Sequence, residues 1–217
     1  MRVAVLTLTR DRLEYTRHCF ARLREFAGCE YDHYVLDQGS TDGSAEWLRR
    51  QGLKHLVLLP ENVGISRGVN WLLDQLDRKY DVVVKFDNDC ELTQPDTVRD
   101  VARLVLRSDA LLSPRILGLR RPPAAQGEFE IDGERVIDIP QIGGIFLAAP
   151  GPVYQAFRCQ VSNDEDDVQL CWWWRWQGGR CGYVARLEAN HYETTDGQWE
   201  RYPAYFDRRV REGGRAY

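Results

Sequence analysis

A chain of 217 residues, 43% hydrophobic and 29% charged, carries enough apolar material for a sizeable core and is too apolar for a disordered polymer. Its formal net charge of −4 excludes a uniformly basic nucleic-acid coat, and only Lys54, Lys79 and Lys85 among the 29 basic residues are lysine. The six cysteines never fall as C-x-x-C, which excludes a zinc ribbon or a thioredoxin motif and leaves reduced, mostly buried thiols as the expectation.

In chain order, residues 2–9 read as a buried strand that stops at Arg10-Asp11-Arg12. That apolar run is too short for a signal peptide or a bilayer span, so a cytoplasmic protein is expected, and with no internal repeat or linker composition along the chain a single domain. An amphipathic helix follows over 11–27, carrying Leu13, Cys19, Phe20, Leu23 and Phe26 on its apolar stripe. A strand at 32–37 leads through Ser40-Thr41-Asp42 into a second helix. Strands at 54–59, 80–87 and 109–116 then alternate with helices at 64–78 and 96–107. Nearly all-apolar strands separated by helices imply an α/β domain with a mostly parallel sheet covered on both faces.

The rhythm breaks at Arg120-Arg121-Pro122-Pro123. Residues 128–139 alternate around Asp132-Gly133, the signature of an antiparallel hairpin. A small-residue strand at 141–149, a helix from about 164 to 177 and a strand at 181–187 follow, and the segment beyond Glu200 is Arg-rich.

Ligands of open α/β sheets bind beyond the carboxyl ends of the strands, so the polar residues at those ends carry the chemistry. They are Thr7-Leu8-Thr9-Arg10, Asp37 through Ser44, Glu61-Asn62-Val63-Gly64 and Asp87-Asn88-Asp89. Two carboxylates one residue apart at the end of a central strand repel unless a cation neutralises them, and hard oxygens suit Mg²⁺ or Mn²⁺ and a diphosphate. A solvated turn with Asp89 capping a bend would have the same local sequence.

The order strand–Asp37-x-Gly39-Ser40-Thr41-Asp42–helix, then Glu61-Asn62-x-Gly64, then strand–Asp87-x-Asp89, resembles family 2 glycosyltransferases of the GT-A fold. The likeness runs over about residues 2–193 and rests on motif order. It implies a nucleotide-binding half over 1–116 and an acceptor-binding half over 117–217. It also implies a metal-dependent transfer of sugar from a nucleotide-diphosphate sugar, UDP-sugar by default, to a hydroxyl acceptor. The acceptor class stays open: glycan, lipid-linked sugar, protein or modified nucleic acid.

Carried over residue by residue, the resemblance assigns Thr7, Thr9, Asp37 and Arg67 to the nucleotide, with Asp87 and Asn88 beside it. Asp87, Asp89 and His191 would hold Mn²⁺ or Mg²⁺. A capped turn for Asp37, a satisfied strand-end Thr, a solvated Arg67 and a structural His191 are the plainer alternatives. Asp166 and Asp167 open the helix that continues Leu170-Cys171-Trp172, where the family places its catalytic acid; one register puts the general base on Asp167, the neighbouring one on Asp166. A base here would make the transfer inverting. A retaining enzyme of the same fold, or a non-catalytic sugar- or nucleic-acid-binding module, is the alternative. Gly143-Gly144 resembles the family's small-residue lining of the donor sugar. Trp172-Trp173-Trp174-Arg175-Trp176 spreads four rings over more than half a helix circumference, so they cannot all face one core. The outward rings would border the acceptor cleft or a homodimer interface.

Overall fold

The fold is that of a computed structural model, which describes residues 1–160, 166–192 and 198–211. Strands β1 (Val3–Thr9), β2 (Asp32–Gln38), β3 (His55–Leu59) and β4 (Val82–Phe86) pair in parallel in the order β3-β2-β1-β4. The sheet continues through β9 (Phe146–Pro150), antiparallel to both β4 and β6 (Ala110–Leu117), to the long β10 (Arg180–His191), which runs parallel to β6. The hairpin β7 (Gly127–Ile131) and β8 (Glu134–Asp138) closes the edge on β10. A short β5 (Cys90–Leu92) lies off this path against the end of β10.

Helices cover both faces, and β2 shows why. Val35 packs with Phe20 of α1 (Leu13–Phe26) and Leu48 of α2 (Ser44–Arg49), whereas Tyr34 and Leu36 join the main core with Leu72 of α3 (Ile65–Asp74). Alternate side chains of one strand thus bury on opposite sides, which requires apolar residues at every position. α4 (Thr97–Val105) packs on β6 and β9, α5 (Gly151–Ala156) on β4 and β9, and α6 (Asp166–Trp176) on β10. Two short helices, α7 (Gln198–Arg201) and α8 (Pro203–Arg211), end the described chain.

The expected alternation and hairpin are present, with differences in the second half. The strand expected over 141–149 begins only at Phe146, because the residues before it form a loop clamped by polar groups. The strand expected to end at 187 continues to His191, held by β5 and β6. β5, α5 and α8 had no sequence expectation. The beginning of the expected helix at 164–165, with Asn163, Asp164 and Glu165, lies outside the described residues, as do Glu193 and the last of the Arg-rich tail. All six cysteines are free thiols and only Cys29 is not buried. Among the described residues no helix is long and apolar enough to cross a membrane.

The tryptophan string divides as its helical phase requires. Trp173 meets Phe157 at 5.5 Å between centroids, and Trp174 donates its ring N–H to the Asp109 carbonyl at 2.9 Å. Trp172 and Trp176, one turn apart, are 64% and 86% exposed.

Candidate active site

The strand order turns at β1, whose neighbours β2 and β4 lead away in opposite directions, and a crevice opens beyond the carboxyl ends of β1 and β4. A cavity of about 260 Å³ lies there, lined by Thr9, Asp87, Asn88, Asp89, Asp166, Asp167 and His191 among others.

Thr9 ends β1 and donates its hydroxyl to Asp37 Oδ2 at 3.0 Å. Asp37 is 1% exposed, and its Oδ1 accepts the Ser40 amide at 3.0 Å, so it braces the strand ends from behind Thr9. Thr7 does not reach the cavity. It is fully buried and bonds His33 at 3.0 Å, a ring that burial, with help from Arg24, pushes down to about 3 and so keeps neutral. Thr7 and Thr9 share a face of β1, but Thr7 sits one rung deeper. Arg67 also misses the cavity: it is exposed on α3, whose phase turns Gly64 and Ile65 inward instead.

Beyond β4, the Asp87 amide donates to the Ile145 carbonyl at 2.9 Å, which ties the acidic turn to the Gly143–Ile145 loop. The antiparallel pairing of β5 with β10 sets Cys90 across from His191. That register brings His191 Nε2 to 3.4 Å from Asp89 Oδ2, both groups nearly buried.

Two buried cations organise this cluster. Lys85, 4% exposed on β4, donates to Asp87 Oδ1 at 2.9 Å and to the Gly144 carbonyl at 2.7 Å, and lies 3.7 Å from Asp166 Oδ2. Burial opposes its charge, but Asp166, Asp87 and Asp167 together hold it above the ordinary lysine range. Arg12 donates to Asp89 Oδ2 at 2.6 Å, Gln198 at 2.9 Å and Asn88 Oδ1 at 3.0 Å, and lies 4.5 Å from the centre of the Tyr205 ring. Burial works against the charge on Asp89, yet Arg12 and His191 hold its carboxyl well below the usual carboxylate range.

Gly144 links this cluster to α6. Its N–H donates to Asp167 Oδ2 at 2.6 Å, while its carbonyl accepts from Lys85. A Cβ here would stand 2.5 Å from the Lys85 ammonium, so the glycine permits the close approach. Asp167 Oδ1 accepts the Val168 amide at 2.7 Å. Burial and then the charge of Asp166 push Asp167 up to about 6, against the opposing pull of Lys85. Asp166 is 5% exposed, also raised by burial, and its Oδ2 accepts no hydrogen bond among the described residues.

The structure therefore brings together Thr9, Asp87, Asn88, Asp89, Asp166, Asp167 and His191, with Asp37 one layer behind, and leaves Thr7 and Arg67 aside. Sequence reasoning passed over Lys85, Arg12, Gln198 and Tyr205. Lys85 did carry a signal, a lone ammonium inside Val82-Val83-Val84-Lys85-Phe86. Gln198 and Tyr205 carried none. None of the four clustered tryptophans lines the cavity.

Asp89 and His191 offer a carboxylate and an imidazole within one cation's reach, with Asp87 in the same cavity, and this donor set suits Mn²⁺ or Mg²⁺. Among the described residues no three His, Cys, Asp or Glu side chains form a ready-made metal cluster. The residues fit an ion shared with a diphosphate and water, not one enclosed by protein alone.

Comparison with solved structures finds the same fold. A mannosyltransferase, PcManGT from Pyrobaculum calidifontis in complex with GDP-Man and Mn²⁺, superposes with a TM-score of 0.67 at 18% identity over 99% of this chain. TarS from S. aureus gives 0.65 at 15% identity over 97% of the chain. GalNAc-T7 with UDP, GalNAc and Mn²⁺ gives 0.66 at 10% identity over 91%. The chain spans 65%, 39% and 45% of those three structures respectively. No curated protein sequence matches it significantly. The profile described as Glycosyl transferase family 2 matches residues 4–116, more than half of the chain, so the parallel strands, the acidic turn after β4 and the GT-A architecture identify the chain as a member of that family.

Proposed function

We propose that the chain is a metal-dependent, inverting glycosyltransferase that moves a sugar from a nucleotide-diphosphate sugar to an acceptor hydroxyl, with Asp167 as general base. One observation carries this reading: a single cavity is lined by Asp87, Asp89, His191 and the raised carboxyl of Asp167. The similar structures that contain GDP-Man or UDP with Mn²⁺ support the donor class, and UDP- and GDP-sugars are the first to test.

A divalent ion held by Asp89 and His191 would neutralise charge on the departing diphosphate. The protein's own groups do the rest. The Gly144 and Val168 amides hold Asp167 by one oxygen each, so its carboxylate is aimed and not free to rotate. The acceptor oxygen attacks the anomeric carbon, its proton passes to Asp167, and the bond to the nucleotide leaves with its electron pair on the diphosphate. Attack from the face away from the leaving group inverts the configuration. Asp166 is the weaker candidate, since it is nearly fully buried and faces Lys85. Lys85 keeps the two acids from repelling Asp87, and Asn88, bonded to both Arg12 and Thr16, fixes the turn between the two aspartates.

The test is thermal shift with UDP-, dTDP- and GDP-sugars, with and without Mn²⁺, beside release of nucleoside diphosphate. A metal-dependent shift that is absent from an Asp89→Ala variant shown to be folded by circular dichroism supports the reading. Absence of any shift and any donor turnover would sink it.

A further inference from the structure

An ion at Asp89 meets a carboxylate that already has a cation. Arg12 lies 2.6 Å from Asp89 Oδ2 and is 8% exposed, so little water stands ready to screen the pair. The arginine is not a surface side chain that has swung inward. Asp11 and Arg12 both hold left-handed backbone conformations, with φ of 49° and 58°, which non-glycine residues keep only where surrounding bonds over-determine them. Those bonds are present: the Asp11 amide donates to Ser40 at 2.7 Å, Asp11 Oδ1 accepts the Thr41 amide at 2.8 Å, and Asp11 pairs with Arg208 of α8. Gln198 and Tyr205 then hold the guanidinium from the side of the C-terminal segment.

We propose that Arg12 is a resident counter-ion of Asp89 that stands in the cation's place while donor is absent, so that a divalent ion enters together with a nucleoside diphosphate and not before it. The inference rests on the reading of Asp89 and His191 as cation ligands. Its physical basis is charge. Asp87 and Asp89, the pair that would attract an ion, are each matched by a buried cation, Lys85 and Arg12. Lys85 is shared among Asp87, Asp166 and Asp167, so the one-to-one charge match is at Asp89, whose partner is Arg12. A lone divalent ion would add two positive charges beside Arg12 in a poorly screened pocket. A diphosphate arriving with the ion supplies the missing negative charge and acceptors for the guanidinium.

Isothermal titration of Mn²⁺ into the unliganded protein, and into protein saturated with UDP or with GDP, tests this. Wild type should bind Mn²⁺ at least about tenfold more tightly with nucleotide than without. Arg12→Gln should bind the ion alone about tenfold more tightly than wild type, and its nucleotide dependence should shrink accordingly. Tyr205→Leu leaves Arg12 and Asp89 in place and removes only the ring beside the guanidinium; it should shift ion binding the same way by a smaller factor, and it decides the matter if Arg12→Gln fails to fold by circular dichroism. Equal Mn²⁺ affinity in wild type and a folded variant without nucleotide, or a loss of affinity, overturns the counter-ion role while leaving the cation site standing. Failure of wild type to bind Mn²⁺ with either nucleotide overturns the cation site and this inference together.

Discussion

Asp37 and Asp42, behind the cavity, and the carboxylates that line it are satisfied in different ways. Asp37 is held by the hydroxyl of Thr9 and by Ser40, and Asp42 by the amides of Leu13 and Ser44. Asp89 and Asp166, with Asp87 beside them, instead face the cations Arg12 and Lys85. Hydroxyls and amides complete a turn and leave nothing over, whereas a buried cation between acids makes a charge balance that a ligand can tip. The difference separates bracing acids from those of the cation site, while Asp167, held by two amides, is set apart by its raised carboxyl.

The largest effect expected from this contrast is on turnover. Asp167→Asn should lower kcat by about a thousandfold, with donor affinity by thermal shift unchanged, as removal of a general base does. Asp42→Ala should leave kcat within about twofold and cost about 1 kcal/mol of stability by urea denaturation, the usual loss for a helix cap. If the two variants behaved alike, the contrast would be wrong.

Lys85→Met probes the balance itself. It leaves Asp87 and Asp166 without their cation, and breaking such a buried pair costs roughly 3–5 kcal/mol. Chemical denaturation reads this directly, and an Asp166→Asn change in the same chain should recover part of the loss.

Titration sharpens the same point. Asp167 must be ionised to accept a proton, so kcat should rise with pH through about 6 and then level. Stability runs the other way. A carboxyl raised in the folded state contributes stability that is full below its unfolded value and lost as pH climbs through about 6. Asp167→Asn removes this titration, so the fall in Tm between pH 4 and pH 7.5 should be smaller in the variant than in wild type. The smallest effect belongs to Trp176→Ala: the ring is 86% exposed, and its removal should change stability by no more than about 0.5 kcal/mol.

The sequence made the first half legible because its information is local. Continuous apolar runs specify parallel strands, and Asp87-x-Asp89 sits directly behind one of them. The acids at the start of α6 were legible for the same reason, as a carboxylate run heading a helix. What escaped depends on partners far apart in the chain: Arg12 meets Asp89 77 positions on and Gln198 186 positions on. No periodicity encodes such a meeting. Thr7 shows a subtler limit, since alternation places it on the same face as Thr9 but cannot say which of the two reaches the rim. Arg67 lies off the cavity by helical phase, because its neighbours Gly64 and Ile65 take the inward positions.

The first helix has a consequence for how the chain assembles. The residue just before it, Arg12, offers no side-chain cap, and the Leu13 amide is met by Asp42, 29 residues later. An isolated peptide covering residues 10–27 would begin with an unsatisfied end and gain little from its own turns. α1 should therefore consolidate only when β2 has docked and delivered its loop, which would make the two segments protect their amides from exchange as one cooperative unit.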